Sequence, residues 1–260
     1  MPGRALKIMW LGDVHGPERD RRAVEIALRG HAYLKPDITI MLGDLLDNSA
    51  FSKHAVSTVR ERTGLLENEL AWANGFLDVL QKNTRRETVF VEGNHDAWVE
   101  RYCADLPAGL AESVHSVLGV EPRLSAGRKN FRWIPYRVKP GARRRRNYHT
   151  LPGGVITVHG MSTAANAAAK HLALYKYQYS VVFGHTHRPD YMALQRPDGR
   201  EVEALNPGCL CRLDPRYETK PTSWAHGVAV GYIGRASHTL YRCKIERGCM
   251  VMPDGKEIRA

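Results

Sequence analysis

The stretch Val181-Val182-Phe183-Gly184-His185-Thr186-His187-Arg188-Pro189 joins a short apolar run to a glycine and then to two histidines one residue apart. The run is β-branched and aromatic, which marks a buried strand. Side chains alternate along extended backbone, so His185 and His187 face one spot beyond the strand end. Two imidazoles converging in a cleft suggest a bound metal. Taken alone, a His-x-His pair reads equally well as two ordinary loop histidines. Four other stretches of the chain end in the same way, and they tip the balance.

The first is Leu6–Leu11, an apolar strand that runs into Gly12-Asp13-Val14-His15-Gly16. Asp13 and His15 share the i, i+2 spacing of the later pair. Pro17 then suits the first turn of a helix over residues 17–28. A second strand over residues 38–42 leads to Gly43-Asp44-Leu45-Leu46-Asp47, with Asp44 as a candidate ligand and Asp47 placed to orient a neighbour. Residues 52–83 turn helical, with Leu66, Leu70, Ala73, Leu77 and Leu80 on one apolar face and Gly64 dividing the stretch into two helices. A third strand, residues 88–91, ends in Glu92-Gly93-Asn94-His95-Asp96. Helices are expected over residues 97–105 and 108–118. A strand over residues 154–158 ends in His159-Gly160 and precedes a helix over residues 164–176. Beyond the His-x-His pair the chain turns β-rich, with antiparallel strands over 191–194 and 201–205 around Pro197-Asp198-Gly199, and further strands over 226–233 and 238–245.

Composition narrows the setting. The chain has 260 residues and a formal charge of +11. That length suits a sizeable core, and no linker or repeat divides it, so one domain over residues 1–260 is expected. The positive charge favours acidic partners such as nucleic acid or phosphorylated substrates. No apolar run reaches the ~20 residues of a membrane span. The N-terminus passes directly into a strand without a cleavage pattern, so a cytoplasmic location is expected, the host cytoplasm if the chain is phage-encoded. The cysteines are Cys103, Cys209, Cys211, Cys243 and Cys249, odd in number and without a Cys-x-x-Cys pair. Free thiols in a reducing compartment fit best. Zinc at Cys209 and Cys211 is the sharper reading of that pair, and small buried apolar side chains the plainer one.

Residues 128–150 contain no acid. Arg128, Lys129, Arg132, Arg137, Lys139 and the run Arg143-Arg144-Arg145-Arg146 alternate with Phe131, Trp133, Tyr136 and Tyr148. Basic residues mixed with aromatics suit a phosphate backbone and stacked bases. The alternative is a solvated basic loop over core aromatics, with Phe131 and Trp133 on the inward face of a strand.

Asp13, His15, Asp44, Asn94, His159, His185 and His187 form a set of potential ligands at five strand ends, where α/β sheets collect functional groups. They are too many for one cation that must also admit substrate. They fit two cations about 3.5–4 Å apart with a bridging carboxylate, an arrangement suited to displacement at phosphorus. The order Asp-x-His, Gly-Asp-x-x-Asp, Gly-Asn-His-Asp, His-Gly, Gly-His-Thr-His, from Asp13 to His187, resembles the calcineurin-like metallophosphoesterase superfamily. The resemblance implies a four-layer αββα sandwich of two mixed β-sheets flanked by helices, with the active site at strand ends. It implies that Asp13, His15 and His187 hold one metal, that Asn94, His159 and His185 hold the other, and that Asp44 bridges. It also implies that hydroxide generated at the metals attacks phosphorus. His95 would contact the phosphate and protonate the leaving oxygen, with Asp47 orienting it. Two divalent ions are implied, manganese foremost, with iron, zinc, nickel or cobalt compatible with the donors.

Protein phosphatases of this superfamily usually carry Arg after the second Asp of Gly-Asp-x-x-Asp and Glu after Gly-Asn-His. Here these residues are Asn48 and Asp96, which weighs against that branch. Gly-Asn-His-Asp is similar to the repair-exonuclease branch and to several diesterase branches. The leading expectation is a manganese-dependent phosphodiesterase acting on nucleic acid, with Asn94, His95, Arg143, Arg144, Arg145 and Arg146 touching substrate. Small phosphate esters or cyclic nucleotides are the alternative substrates. A non-catalytic scaffold is a third possibility, but such scaffolds lose ligands or the acid histidine that this chain keeps. No protein partner is expected.

Overall fold

The computed structural model describes residues 4–51, 65–136, 147–214 and 222–260. Two mixed sheets form its centre. The larger has the order β13-β12-β11-β10-β1-β2-β3-β4, with β1 (Leu6–Leu11), β2 (Ile38–Met41), β3 (Glu87–Val91) and β4 (Phe131–Ile134) mutually parallel. β10 (Gly227–Ile233), β11 (His238–Glu246), β12 (Cys249–Val251) and β13 (Glu257–Arg259) extend it as an antiparallel meander. The smaller sheet has the order β5-β6-β7-β9-β8. In it β6 (Val155–Val158), β7 (Ser180–Phe183) and β9 (Glu201–Asn206) are parallel, and β5 (His149–Leu151) and β8 (Asp190–Gln195) are antiparallel edges.

Strict alternation along these strands builds the layers. Ile8, Trp10, Ile40, Leu42, Val89 and Val91 of the large sheet point inward and meet Leu151, Val155, Val182 and Leu205 of the small one. Met9, Leu11, Met41 and Phe90 point the other way, onto α1 (Arg21–Leu34) and α2 (Leu65–Asn83). Ile156, Val158, Val181 and Phe183 cover the outer face of the small sheet and pack on α6 (Ala167–Leu174). The result is the expected αββα sandwich. Burial of a side chain such as Phe90 or Phe183 contributes about 1.5–3 kcal/mol, and a one-residue slip would turn each such side chain to the opposite face. Trp10 also ties the two sheets by a buried hydrogen bond from Nε1 to the Thr157 hydroxyl, 2.9 Å.

Several boundaries differ from the sequence expectation. Pro17 opens only a 3-10 turn, Gly16–Glu18, and α1 starts later because the Asp20 carboxylate accepts the Ala23 N–H at 2.8 Å. The helix then runs past Leu28 and ends where Lys35 turns left-handed before Pro36. The helix expected over 164–176 is shorter, because Asp190 fixes its first turn by accepting the Ala168 N–H. Residues 52–64, with the proposed division at Gly64, lie outside the described residues. α3 (Trp98–Ala104) and α4 (Ala108–Leu118) occupy their expected places, and a short α5 (Val120–Ser125) follows.

The basic, aromatic stretch is partly used by the fold. Trp133 stacks on Phe90 with ring centroids 4.4 Å apart, so Phe131 and Trp133 take the strand-face reading. Arg128 binds Asp78 and Gln81, and Arg132 binds Glu87. The run Arg143–Arg146 lies outside the described residues. Among the described residues, no helix is long and apolar enough to cross a membrane.

α1 carries a buried histidine that serves packing alone. His31 is fully buried, its Nε2 lies 2.7 Å from the Thr39 hydroxyl, and its Nδ1 has no partner among the described residues. Burial lowers its pKa to about 4. An unfolded histidine titrates near 6.5, so the unfolded chain takes up the proton first. His31 therefore supports the fold above about pH 6.5, and that support is lost as pH falls towards 4. Between pH 7 and pH 5 the wild type should lose about 2 kcal/mol more unfolding free energy than His31→Leu, measured by urea titration.

Candidate metal centre and active site

All the candidate ligands follow strand ends. Asp13 and His15 follow β1, Asp44 follows β2, Asn94 and His95 follow β3, His159 follows β6, and His185 and His187 follow β7. Such ends suit a ligand because the backbone stops pairing and can turn its side chains together. Here the turn is sharp. Asp13, His15, Asp44, His185 and His187 all have positive φ, between 46° and 73°. For residues with a Cβ this costs on the order of 1 kcal/mol or more each, so the surroundings must hold them there.

Backbone hydrogen bonds do so. The N–H groups of Val14 and His15 both donate to the Asp44 carbonyl at 2.9 Å, which locks the β1 loop to the β2 loop. The Asp13 carboxylate accepts the His185 N–H at 3.0 Å, joining the large sheet to the small one. Asp96 accepts three N–H groups, from Asp44, Leu46 and Gly93, at 2.8–3.0 Å. Glu69 on α2 accepts the N–H groups of Asp47 and Asn48. Asn48 donates from its side chain to the His95 carbonyl. Asn206 is saturated, donating to Gly184 and Thr186 and accepting from Gly208, so its part is structural. Glycines at the strand ends leave no room for a side chain. A Cβ on Gly93 would stand 2.1 Å from Asp44 Oδ1, and one on Gly184 would stand 2.6 Å from Asp13 Oδ2.

The side chains fall into two groups that share Asp44. The ligand atoms of Asp13, His15, Asp44 and His187 lie within 4.8 Å of one another, and so do those of Asp44, His159 and His185. Asn94 Oδ1 joins the second group, 3.0 Å from His159 Nε2. Asp44 Oδ2 is 3.3 Å from His159 Nε2 and 3.8 Å from His15 Nε2, while its Oδ1 accepts the His95 N–H. The seven expected ligands are thus brought together as two clusters around one carboxylate. Carboxylate oxygens, an amide oxygen and imidazole nitrogens make a donor set that fits first-row divalent cations.

The buried carboxylates set the charge of the imidazoles around them. Burial works against the charged ring of His15, but the hydrogen bond to Asp47 and the charges of Asp44, Asp47 and Asp13 outweigh it and raise the ring to about 9. Burial likewise opposes the charge on His159, and Asp44 and Asp13 raise it to about 9. Burial and the neighbouring His159 lower His185 to about 4. Burial would raise the carboxyl of Asp44, yet the surrounding imidazoles of His159, His95 and His15 hold it well below the usual range.

His95 sits at the rim of this cluster. Its ring stacks on Trp98 at 4.0 Å and meets His15 edge-on at 4.5 Å. The Asp47 carboxylate stands beside two histidines. It lies 3.0 Å from His15 Nδ1 and 3.6 Å from His95 Nδ1, while His95 Nδ1 takes the Asp47 carbonyl at 2.9 Å. The side chain therefore orients His15 first, and the backbone orients His95. Sequence reading missed the supports Glu69 and Trp98, for which a buried acid and a half-buried ring near a strand end give no separate signal. It took Asp96 only as a branch marker.

A cavity of about 350 Å³ opens beside the cluster, lined by Thr163, His185, Thr186, Arg188 and Trp224 among others. Trp224 lies against His187 with centroids 4.2 Å apart. Arg188 is anchored by donating to the carbonyls of Thr163 and Ala164. Larger clefts of about 520 and 610 Å³ lie elsewhere on the surface and touch none of the ligands.

Two expectations follow for cation loading. His15 and His159 carry protons at pH 7 and must release them to coordinate, so manganese binding should release about two protons per chain and strengthen as pH rises towards 9. Calorimetry in buffers of different ionisation enthalpy counts those protons, and a proton-neutral binding would contradict the arrangement. Gly184→Ala should weaken manganese binding at least tenfold with an unchanged circular dichroism spectrum, because the added methyl displaces the Asp13 carboxylate.

A family model described as calcineurin-like phosphoesterase matches residues 6–189. No curated protein matches the chain significantly. Among solved structures, Vps29 from Chaetomium thermophilum is similar at 13% identity and a TM-score of 0.50, covering 99% of this chain and 95% of the other. Vps29 from Entamoeba histolytica is similar at 14% identity, covering 98% of each chain with a TM-score of 0.46. The E. coli phosphoesterase Yfce is similar at 16% identity, covering 93% of this chain and 100% of the other with a TM-score of 0.36. At 13% identity the likeness to the Chaetomium thermophilum structure speaks for the fold alone, and the function rests on the family match and on the ligands that the strand ends bring together. The chain belongs to the calcineurin-like phosphoesterase family and is a metal-dependent phosphoesterase.

Proposed function

We propose that the protein is a phosphodiesterase that cleaves nucleic acid, with two divalent cations, manganese foremost, held by Asp13, His15, Asp44 and His187 on one side and Asp44, Asn94, His159 and His185 on the other. Those cations would supply positive charge to the phosphoryl oxygens and an activated water. The observation that carries the nucleic-acid reading is the cavity beside His185, where the Trp224 ring offers a stacking face and Arg188 a fixed cation. A base on the ring and a flanking phosphate on the guanidinium match the two chemistries of a nucleotide chain.

His95 is the acid in this reading. Its Nδ1–H donates to the Asp47 carbonyl, which leaves Nε2 for the leaving oxygen. Burial lowers its pKa, opposed by the charge of Asp44. An arriving phosphate adds negative charge and favours the protonated ring. Trp98 keeps the ring plane fixed by stacking. Hydrolysis of small phosphate esters is the second reading. It is favoured by the use of Arg128, Arg132, Phe131 and Trp133 in the fold, which removes part of the basic, aromatic stretch from the solvent face.

Three variants test the proposal on manganese-loaded enzyme. His95→Ala should slow an alkyl phosphodiester about 10²–10⁴-fold and an aryl diester with a good leaving group far less, since only the former needs a proton in the transition state. Equal losses on both would remove His95 as the acid. Trp224→Ala, and separately Arg143, Arg144, Arg145 and Arg146 changed together to Ala, should weaken cleavage of end-labelled DNA much more than hydrolysis of the aryl diester. The loss from the arginine run should shrink as salt is raised. Aryl ester turnover with DNA left intact by the wild type would select the small-ester reading.

A further inference from the structure

The ring of His187 has two nitrogens and two different surroundings. Its Nε2 faces Asp13 at 3.5 Å and His15 at 3.2 Å, within the centre described above. Its Nδ1 faces the other way, 3.6 Å from the sulfur of Cys211. Cys209 and Cys211 lie on an extended segment after β9, where bridges pair Cys209 with His226 and Cys211 with Arg19. Residues two apart on extended backbone point the same way, so both sulfurs turn towards the ring. The ligand atoms of His187, Cys209 and Cys211 all lie within 4.8 Å of one another, and the three residues are only 6%, 0% and 2% exposed. The segment is held in place, since the N–H groups of Leu210 and Cys211 donate to the Asp13 carbonyl at 3.1 and 3.0 Å.

We propose that Cys209, Cys211 and His187 Nδ1 form a second metal site, for a thiophilic divalent cation of the zinc class, back to back with the oxygen- and imidazole-rich centre. A tetrahedral cation with bonds of about 2.3 Å to sulfur and about 2.0–2.1 Å to nitrogen sets those two atoms about 3.6 Å apart. The sulfur of Cys211 and the nitrogen of His187 already have that separation. The Ala225 carbonyl, 3.8 Å from the Cys209 sulfur, is an oxygen donor at hand for the fourth position. The two thiols release their protons to solvent as the cation binds, and the ring gives up the Nδ1 proton. Thiolates select zinc or cadmium over manganese, whereas the front centre, with its carboxylates, accepts manganese. One imidazole then serves both sites, so filling the rear site alters the front one and zinc acts as an inhibitor of the manganese-loaded enzyme.

The test uses the 260-residue chain, loaded with manganese and titrated with cadmium. A sulfur-to-cadmium charge-transfer band in the ultraviolet should grow and saturate at one cadmium per chain. It should vanish in Cys209→Ser/Cys211→Ser and persist in Cys249→Ser. A band that survives the double substitution would assign it to other thiols and overturn the proposal. Zinc X-ray absorption on the wild type needs no variant and covers the case in which the double variant misfolds. Two sulfur neighbours at about 2.3 Å support the site, and nitrogen and oxygen neighbours alone overturn it, leaving a plain thiol–imidazole hydrogen bond. Neither readout depends on the substrate, so failure here leaves the nuclease reading untouched.

Discussion

The carboxylate of Asp44 is pulled in two directions. One oxygen accepts the His95 N–H, and the other faces His159 and His15. A buried carboxylate is costly unless paired, and breaking such a pair leaves an uncompensated charge. Around Asp44 the compensation comes from every side. Its own N–H is held by Asp96, its carbonyl fixes the β1 loop, and Gly93 stands aside for its Oδ1. The acid that both ligand clusters share is thus also the residue through which the loops after β1, β2 and β3 are fastened together.

The same loops carry the strain of the structure. Five candidate ligands occupy left-handed backbone that a side chain ordinarily avoids. A free strand end would relax, and a cation-binding cluster made from relaxed ends would be loose. Here the conformations are over-determined by main-chain bonds to neighbouring loops, so the ligands stand ready before any cation arrives. Asp96 and Glu69 do this by accepting the N–H groups of the residues that turn.

Much of this could be read in the chain, and the reason is physical. Parallel strands buried on both faces are short apolar runs, and the residue types that follow them are chemically distinctive. Asp13, His15, Asp44, Asn94, His159, His185 and His187 therefore stood out, and so did the sandwich. The late start of α1 did not, because Pro17 and Asp20 both offer a helix start and only the cap geometry chooses between them. β12 and β13 are three residues each, too short for alternation to register. Asp47 was expected beside His95, and its carboxylate also reaches His15, a second neighbour that only distance reveals. Phe131 and Trp133 show the opposite difficulty. An aromatic beside an arginine looks the same in sequence whether it awaits a base or packs on Phe90.

Trp10 and Thr157 join the two sheets by one hydrogen bond at the heart of their common core. The ligands are divided between the same two sheets, with Asp13, His15, Asp44 and Asn94 on one and His159, His185 and His187 on the other. Any sliding of one sheet over the other would change every distance across the centre at once. The inner core therefore acts as the ruler of the active site. A cation held across the divide would in turn act as a rivet, adding its binding energy to the cohesion of the sandwich. In this architecture, mutations in the apolar interior and losses of metal are two routes to the same failure.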